Sequence, residues 1–266
     1  MLSNTFQGMM KLCIATPKSV VNAPLKGGYT LFVRTESFKD FIRFYPVITV
    51  IIAIHIILYL ITILPFFPGS FIFERLMGVN LYIVQGEYWR LVTPIFLHSG
   101  LSHMLFNSFS LVLFGPSLER MLGKNRFIVL YIATGLVANV ATLLLKPLTY
   151  THVGSSGAIF GLFGIYLAMI LFRKDLMSRA NSQLILTIAA ISLIMTFLQP
   201  NVNVTAHLFG FISGVILGSF GIGRGRELAY TFKSISNRTR EHTSSSPKML
   251  IWIGIALLAL IGLFSR

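Results

Sequence analysis

The sequence predicts an all-α, polytopic membrane protein, and two observations carry this prediction. The 266-residue chain is 55% hydrophobic but only 11% charged, whereas a soluble domain of this size carries about 25% charged residues. The apolar residues fall in blocks of roughly 17–22, which is long enough for a helix to cross the ~30 Å hydrocarbon core of a bilayer. We therefore expect a bundle of transmembrane helices and no separate soluble module.

Seven apolar blocks define the predicted spans. They lie near residues 46–64, 102–118, 127–145, 156–172, 183–198, 204–221 and 249–264. The block near 102–118 is the least apolar, because it contains His103, Asn107, Ser108 and Ser110. Polar side chains at membrane depth indicate a functional site.

The basic residues are distributed unevenly between the two sides of these spans. Of the 22 Lys and Arg residues, all but four lie on the side that holds the N-terminus; the exceptions are Arg75, Arg90, Lys146 and Arg266. Because cytoplasmic loops are rich in Lys and Arg, we expect a cytosolic N-terminus and, with seven spans, a C-terminus outside. The same bias explains the net charge of +14, so nucleic-acid binding is not expected.

The chain divides into four parts on this interpretation. They are a basic cytosolic tail (1–40), a six-span domain (41–222), a Ser-rich cytosolic linker (223–248) and a seventh transmembrane helix (249–266). For the first 35 residues, a basic tail or an upstream start codon that is not used is favoured over a transit peptide. Small cytosolic tails and a single cysteine, Cys13, favour a bacterial cell membrane.

The acidic residues limit the chemistry that is possible within the membrane. All eight are expected in loops or tails, and the two aspartates, Asp40 and Asp175, lie on the cytosolic side. A membrane aspartyl protease needs two aspartates within the bilayer, so the sequence excludes that class. The absence of an HExxH motif argues against a zinc metalloprotease. Ser, His and Asn remain at membrane depth, and no metal or cofactor is expected.

Four polar side chains are predicted to lie at one depth, near the outer face. Ser156 opens the fourth span, and His207 lies about one turn into the sixth. His103 and Asn107 lie near the outer end of the second span, which runs in the same direction. A Ser–His pair is sufficient for nucleophilic catalysis, because the imidazole accepts the hydroxyl proton and returns it to the leaving amine.

Small residues explain how this serine would meet this histidine. They recur every four positions on both helices: Gly157 and Gly161 in the fourth span, and Gly210, Gly214 and Gly218 in the sixth. Such faces allow two helices to approach closely in lipid, which would bring Ser156 beside His207. No carboxylate is available as a third member, so we expect packing against Phe160 to orient the imidazole.

The same region offers donors for a developing negative charge. The backbone N–H of Ser156 lies at a helix N-terminus, where the helix dipole favours an anion. His103 and Asn107 are four residues apart and share a helix face, so each can offer an N–H to one oxygen. Gly154 is expected to serve the backbone conformation before the helix.

These motifs resemble those of the rhomboid family of intramembrane serine proteases. The matching segments are EYWRL (87–91), HSGLSHMLFN (98–107), GPSLERMLG (115–123), GSSG (154–157) and AHLFGFISG (206–214). The resemblance covers about residues 41–222 and implies a six-helix bundle, to which the seventh span adds the six-plus-one arrangement of a bacterial type. It implies Ser156 as nucleophile and His207 as base. His103 and Asn107 would then form the oxyanion hole.

The resemblance also implies an activity, cleavage of single-pass membrane proteins in or near their transmembrane segment. The expected partners are therefore transmembrane substrates and the lipid bilayer, while the oligomeric state stays open. The alternative is a non-catalytic rhomboid-like protein that binds membrane clients; such relatives lose the serine or the histidine, and both are present here. A transporter would carry charges or broken helices near the midplane, and the sequence predicts neither.

The remaining serines and histidines receive other roles. Ser155 occupies the variable position of the GSSG motif. His152 is expected on a flexible outer loop, which would orient an imidazole poorly, and His98 is expected to be a polar group of a loop or entry site. His55, alone in the first span, is predicted to form an interhelical hydrogen bond or to face the lumen. The span 183–198 is a candidate gate, because it carries no catalytic residue.

Overall fold

A computed structural model describes residues 36–173 and 176–221. In these ranges the chain forms nine α-helices: α1 (Phe38–Phe44), α2 (Pro46–Ile63), α3 (Gly69–Leu76), α4 (Asn80–Val84), α5 (Leu101–Leu122), α6 (Lys124–Leu145), α7 (Ser156–Phe172), α8 (Arg179–Leu198) and α9 (Val204–Gly221). Two antiparallel two-residue strands, β1 (Gly78–Val79) and β2 (Thr151–His152), complete the regular structure together with 3-10 turns at Tyr88–Leu91 and Thr93–Phe96. The all-α prediction is confirmed, whereas the linker (223–248) and the seventh span (249–264) lie outside the described residues.

Six of the described helices coincide with the first six predicted spans: α2, α5, α6, α7, α8 and α9. By length and composition, α2, α5, α6 and α8 could cross a membrane, while α7 and α9 are apolar but shorter. Large apolar side chains are exposed on several of these helices, such as Ile57 on α2, Leu144 on α6 and Phe197 on α8. Exposed apolar surface of this kind is stable in contact with lipid tails.

Helix α7 lies at the centre of the bundle. Twelve of its 17 residues are buried, and it packs against α5, α6, α8 and α9. In contrast, α8 buries four residues, Asn181, Ile185, Ala189 and Thr196. Helices α5, α7 and α9 begin at the same end of the bundle, which we call the site end, and α8 finishes there. The fold therefore holds the start of α7 rigidly, while α8 covers it from one side.

Glycines bring α7 and α9 into backbone contact, as the spacing predicts. A Cβ atom added at Gly210 would overlap the carbonyl oxygen of Gly157, and one added at Gly214 would overlap that of Gly161. A Cβ at Gly218 would meet the Cβ of Ala168 at 3.0 Å. Lipid tails are as apolar as the helix surfaces, so the hydrophobic effect does not drive helices together within a membrane. Close packing of this kind is therefore a main source of helix–helix stability there.

Glu119 lies inside α5, so the prediction that every acidic residue falls in a loop or tail is wrong. Asp40 and Glu74 likewise lie in short helices, α1 and α3. Glu119 is only 2% exposed, and its carboxylate accepts the N–H groups of Val47 (3.0 Å) and Ile48 (3.1 Å) at the start of α2. The first N–H groups of a helix have no partner within the helix, so a carboxylate is stabilised there.

Candidate active site

Ser156 and His207 meet where α7 and α9 begin. The Oγ atom of Ser156 lies 2.8 Å from Nε2 of His207. Ser156 is the first residue of α7 and is partly exposed, whereas His207 lies in the first turn of α9 and is only 8% exposed. The contact follows from the close approach at Gly157 and Gly210, because it sets the two helix starts side by side.

The imidazole of His207 is held on two sides. The ring of Phe160, one turn below Ser156, is stacked on it with a centroid separation of 4.2 Å and an interplanar angle of 20°. The second ring nitrogen, Nδ1, lies 2.8 Å from Oγ1 of Thr196 in α8. The stacking of Phe160 on this ring is the contact expected from the sequence. Thr196 is not among the predicted residues, because α8 carries no glycine repeat that would indicate which of its residues faces His207.

Asn203 fixes the start of α9 and is not among the site residues predicted from the sequence. Its Oδ1 accepts the N–H of Ala206 at 3.0 Å, and its backbone carbonyl accepts the N–H of His207 at 3.1 Å. Its amide donates to Oγ1 of Thr142 in α6 at 3.0 Å. An Asn immediately before a helical segment is a recognisable cap signal, and here the cap ties the first turn of α9 to α6.

His103 and Asn107 lie on the first turns of α5, near the segment that precedes Ser156. A Cβ atom at Gly154 would lie 2.6 Å from Nε2 of His103, and Nδ1 of His103 lies 3.2 Å from Oγ of Ser99. Asn107 is buried, and its amide donates to the carbonyl of His103 at 2.9 Å. Because an amide group carries two N–H donors, this bond uses one of the two.

Gly154 adopts a backbone conformation that favours glycine. Its φ angle is +122°, which other residues rarely adopt. Its N–H donates to the carbonyl of Pro94 at 2.8 Å, so the segment before Ser156 is fixed to the 3-10 turn that precedes α5. The predicted backbone role of Gly154 agrees with this geometry, and the imidazole of His103 adds a second reason for a glycine.

His152 lies in β2 and not on a flexible loop, so that prediction is wrong. Its backbone pairs with Gly78 of β1, its ring lies directly over Gly78, and it stacks on Tyr150 at 6.3 Å. Burial lowers the pKa of His152 to about 4, so the imidazole is neutral at pH 7. Two-residue strands have no periodicity in sequence, which is why the pairing was not predicted.

His55 and His98 form a packed group with His103. The ring centroids are 4.5 Å apart for His55 and His98 and 5.1 Å apart for His98 and His103. His55 makes the predicted interhelical hydrogen bond, with Nδ1 3.3 Å from Oγ of Ser108. It is also packed against the ring of His98, which the sequence did not indicate. His98 lies in a loop as expected, yet burial and then the neighbouring imidazoles hold its pKa far below the usual value. Within residues 36–173 and 176–221, no three His, Cys, Asp or Glu side chains form a set that could hold a metal ion.

Comparison with known proteins assigns the chain to a family. A serine hydroxyl within hydrogen-bond reach of a histidine, at the ends of packed apolar helices, is the arrangement that nucleophilic catalysis in a membrane requires. The family model of the Rhomboid domain matches residues 85–224. The chain therefore belongs to the rhomboid family, and it is an integral, multi-pass membrane protein.

Individual relatives agree with this assignment. YdcA, a rhomboid relative from Bacillus subtilis (strain 168), is 49% identical over 187 residues, which cover 70% of this chain and 94% of that protein. Rhomboid protease GluP of the same organism is 38% identical over 135 residues, or 51% of this chain and 26% of that protein. RHOMBOID-like protein 1 of Arabidopsis thaliana is 32% identical over 206 residues, or 73% of this chain and 52% of that protein.

Proposed function

We propose that the chain is an intramembrane serine endopeptidase that cleaves single-pass membrane proteins in or near their transmembrane segment. The observation that carries this proposal is the 2.8 Å contact between Ser156 Oγ and His207 Nε2. Two further findings support it: the chain belongs to the rhomboid family, and one of its relatives, GluP, is named as a rhomboid protease. The proposal includes a protease domain over residues 41–222, a cytosolic N-terminus and residence in a bacterial cell membrane with the site end outward.

Ser156 is the nucleophile in this proposal. As its Oγ attacks the carbonyl carbon of the scissile peptide, the hydroxyl proton moves to Nε2 of His207. The imidazolium then gives this proton to the leaving amine, and the carbonyl carbon stays bound to Ser156 as an ester. Water then attacks the ester carbon and gives a proton to Nε2 of His207. As the bond between the carbonyl carbon and Oγ of Ser156 breaks, the imidazolium returns this proton to Oγ, and the second product leaves as a carboxylic acid.

The negative charge on the carbonyl oxygen needs donors that are already in position. The backbone N–H of Ser156, at the start of α7, is one of these donors, and the helix dipole adds to its effect. His103 and the second amide hydrogen of Asn107 are the other two in this proposal. The hydrogen bond from the Asn107 amide to the backbone carbonyl of His103 supports it, because it fixes the orientation of the Asn107 side chain on α5.

The partial exposure of Ser156 supports a site that water and substrate can reach. Ser156 is partly exposed at the site end of the bundle, so water can reach the ester there. A transmembrane substrate hides its peptide bonds in the hydrogen bonds of its own helix, and it must unwind before a carbonyl can be attacked. Small residues and a locally unstable helix at the cleavage position are therefore expected in substrates.

Cleavage of a tagged single-pass reporter in membranes tests the proposal. The wild type is expected to cleave the reporter, and Ser156→Ala and His207→Ala are expected to abolish cleavage. Ser155→Ala is the matched control, because it removes the neighbouring hydroxyl and leaves the dyad intact. Cleavage by Ser156→Ala would contradict the proposal. A wild type that binds the reporter without cleaving it would favour the client-binding alternative instead.

The oxyanion donors are tested with the same reporter. His103→Ala and Asn107→Ala should each lower the cleavage rate by ~10²–10³, the usual effect of losing one oxyanion donor. The residual activity should exceed that of Ser156→Ala, because the dyad itself is preserved. A rate equal to that of the wild type in both variants would remove these side chains from the proposed site.

A further inference from the structure

Thr196 places a buried hydroxyl beside the imidazole of His207. It lies near the end of α8, where it is the one buried residue between 190 and 198, with only 3% of its surface exposed. Its neighbours on this part of the helix face outward, among them Ile194 and Phe197. Thr196 continues the buried face of α8 that carries Asn181, Ile185 and Ala189. A buried hydroxyl needs hydrogen-bond partners, so the groups that Thr196 contacts determine what its side chain does.

The hydroxyl of Thr196 lies within hydrogen-bond distance of two groups. Its Oγ1 donates to the carbonyl of Ser192, one turn earlier in α8, at 3.0 Å. A hydroxyl has one hydrogen and two acceptor lone pairs, so Oγ1 is left to accept. The nearest donor is Nδ1 of His207 at 2.8 Å. With Oγ1 as the acceptor, the proton of the neutral imidazole sits on Nδ1, and Nε2 carries the lone pair that faces Ser156.

We propose that Thr196 is a positioning residue for the general base. Ser156, His207 and Thr196 then form a chain of hydrogen bonds in which Thr196 is the uncharged third member. The inference rests on the proposed function and deepens it by supplying the third member that no carboxylate provides. Thr196 holds the imidazole in the tautomer that can accept the Ser156 proton. When the imidazole becomes charged during attack, the Nδ1–H bond to Oγ1 becomes charge-assisted and therefore stronger. Thr196 thus acts through His207 and does not touch the substrate.

This bond also ties the base to α8. Helix α8 covers the dyad from one side and contributes few buried residues, so its position relative to α9 determines whether His207 has an acceptor at Nδ1. A displacement of α8 away from α9 would break the bond and leave the imidazole free to rotate or to change tautomer. The base is therefore competent when α8 is packed on α9.

Two substitutions test the inference. Thr196→Val has nearly the same shape but no hydroxyl, and Thr196→Ser keeps the hydroxyl. Thr196→Val should lower kcat at least about tenfold at an unchanged KM, because a hydrogen bond to a charged group is lost in the transition state. Thr196→Ser should restore kcat to within about threefold of the wild type. Thr49→Val is the matched control, since Thr49 makes the same bond to a carbonyl one turn earlier, that of Tyr45 at 2.8 Å.

The outcomes separate this inference from the proposed function. A wild type that cleaves, together with a Thr196→Val kcat equal to that of Thr49→Val, would overturn the positioning role and leave the protease intact. Failure of Thr196→Ser to restore kcat would overturn it as well. If Thr196→Val does not fold, Thr196→Ala takes its place under the same criteria. A wild type that does not cleave the reporter would instead count against the proposed function.

Discussion

Gly210 of α9 lies directly against the carbonyl oxygen of Gly157 in α7, with no space between them for a side chain. The two atoms that would collide on substitution are a new Cβ and a backbone oxygen, and neither can rotate away. The contact lies one residue after Ser156 and three after His207. The geometry of the dyad therefore depends on a glycine that takes no part in the chemistry.

Gly210→Ala should destabilise the bundle and separate the dyad. Overpacking of a tight site costs roughly 1–3 kcal/mol, and a backbone contact belongs to the upper end of that range. We expect a lower thermal midpoint in detergent and a large loss of reporter cleavage. Gly100→Ala is the control, because no described atom lies within 4 Å of a Cβ there and its φ of −172° suits any residue. Equal behaviour of the two variants would contradict the packing account.

Phe160→Leu should lower kcat with little effect on folding. Leucine keeps much of the apolar volume but removes the ring that stacks on His207 at 4.2 Å. Stacked rings contribute about 0.5–1.5 kcal/mol, so kcat should fall about two- to tenfold. Phe127→Leu is the matched control, since Phe127 stacks on Tyr131 in α6 at an interplanar angle of 16°. If Phe127→Leu lowers kcat as much, the orienting role of Phe160 is wrong.

Gly154→Ala should impair cleavage more than Gly86→Ala, a variant in which backbone strain is the only expected effect. Gly154 and Gly86 both have positive φ angles, +122° and +104°, so alanine is strained at either position. At Gly154 the new Cβ also lies 2.6 Å from Nε2 of His103, while no described atom lies within 4 Å of it at Gly86. We expect both variants to lose thermal stability, Gly154→Ala by more because of this added overlap, and Gly154→Ala alone to lose most activity. Comparable activity in both would remove His103 from the site.

Acid should destabilise the β1–β2 pairing through His152. Its pKa is about 4 in the folded protein against 6.5 ordinarily, so the unfolded chain binds more protons between these values and stability falls as the pH drops. His152→Phe keeps a ring over Gly78 and removes the titration. Between about pH 7.5 and pH 5, the thermal midpoint of the wild type should fall further than that of the variant. Parallel decreases would show that His152 does not contribute.

The spans and the dyad could be predicted because each depends on regular spacing. Apolar blocks of membrane-spanning length fix the helices, and a four-residue glycine repeat fixes which helix faces meet. Ser156 and His207 stand at defined positions on those faces, so their contact follows from the pattern.

Other parts of the site depend on contacts between segments that no spacing encodes. Thr196 reaches His207 from a different helix, and Asn203 anchors α9 to α6 through a single side chain. The sequence predicts a flexible outer loop at His152, because a two-residue strand has no periodicity that would reveal it. The apolar block ends at residue 118 and therefore predicts Glu119 outside the helix, whereas the N-terminus of α2 stabilises its carboxylate within α5.

The most direct test of the central claim is labelling with a fluorophosphonate probe, followed by mass spectrometry of the labelled peptide. The account predicts that the folded wild type in detergent is labelled on Ser156, because His207 activates this hydroxyl. Label should be absent from Ser156→Ala, strongly reduced in His207→Ala and retained in Ser155→Ala. A folded wild type that takes up no label, or label that persists in Ser156→Ala, would contradict the claim.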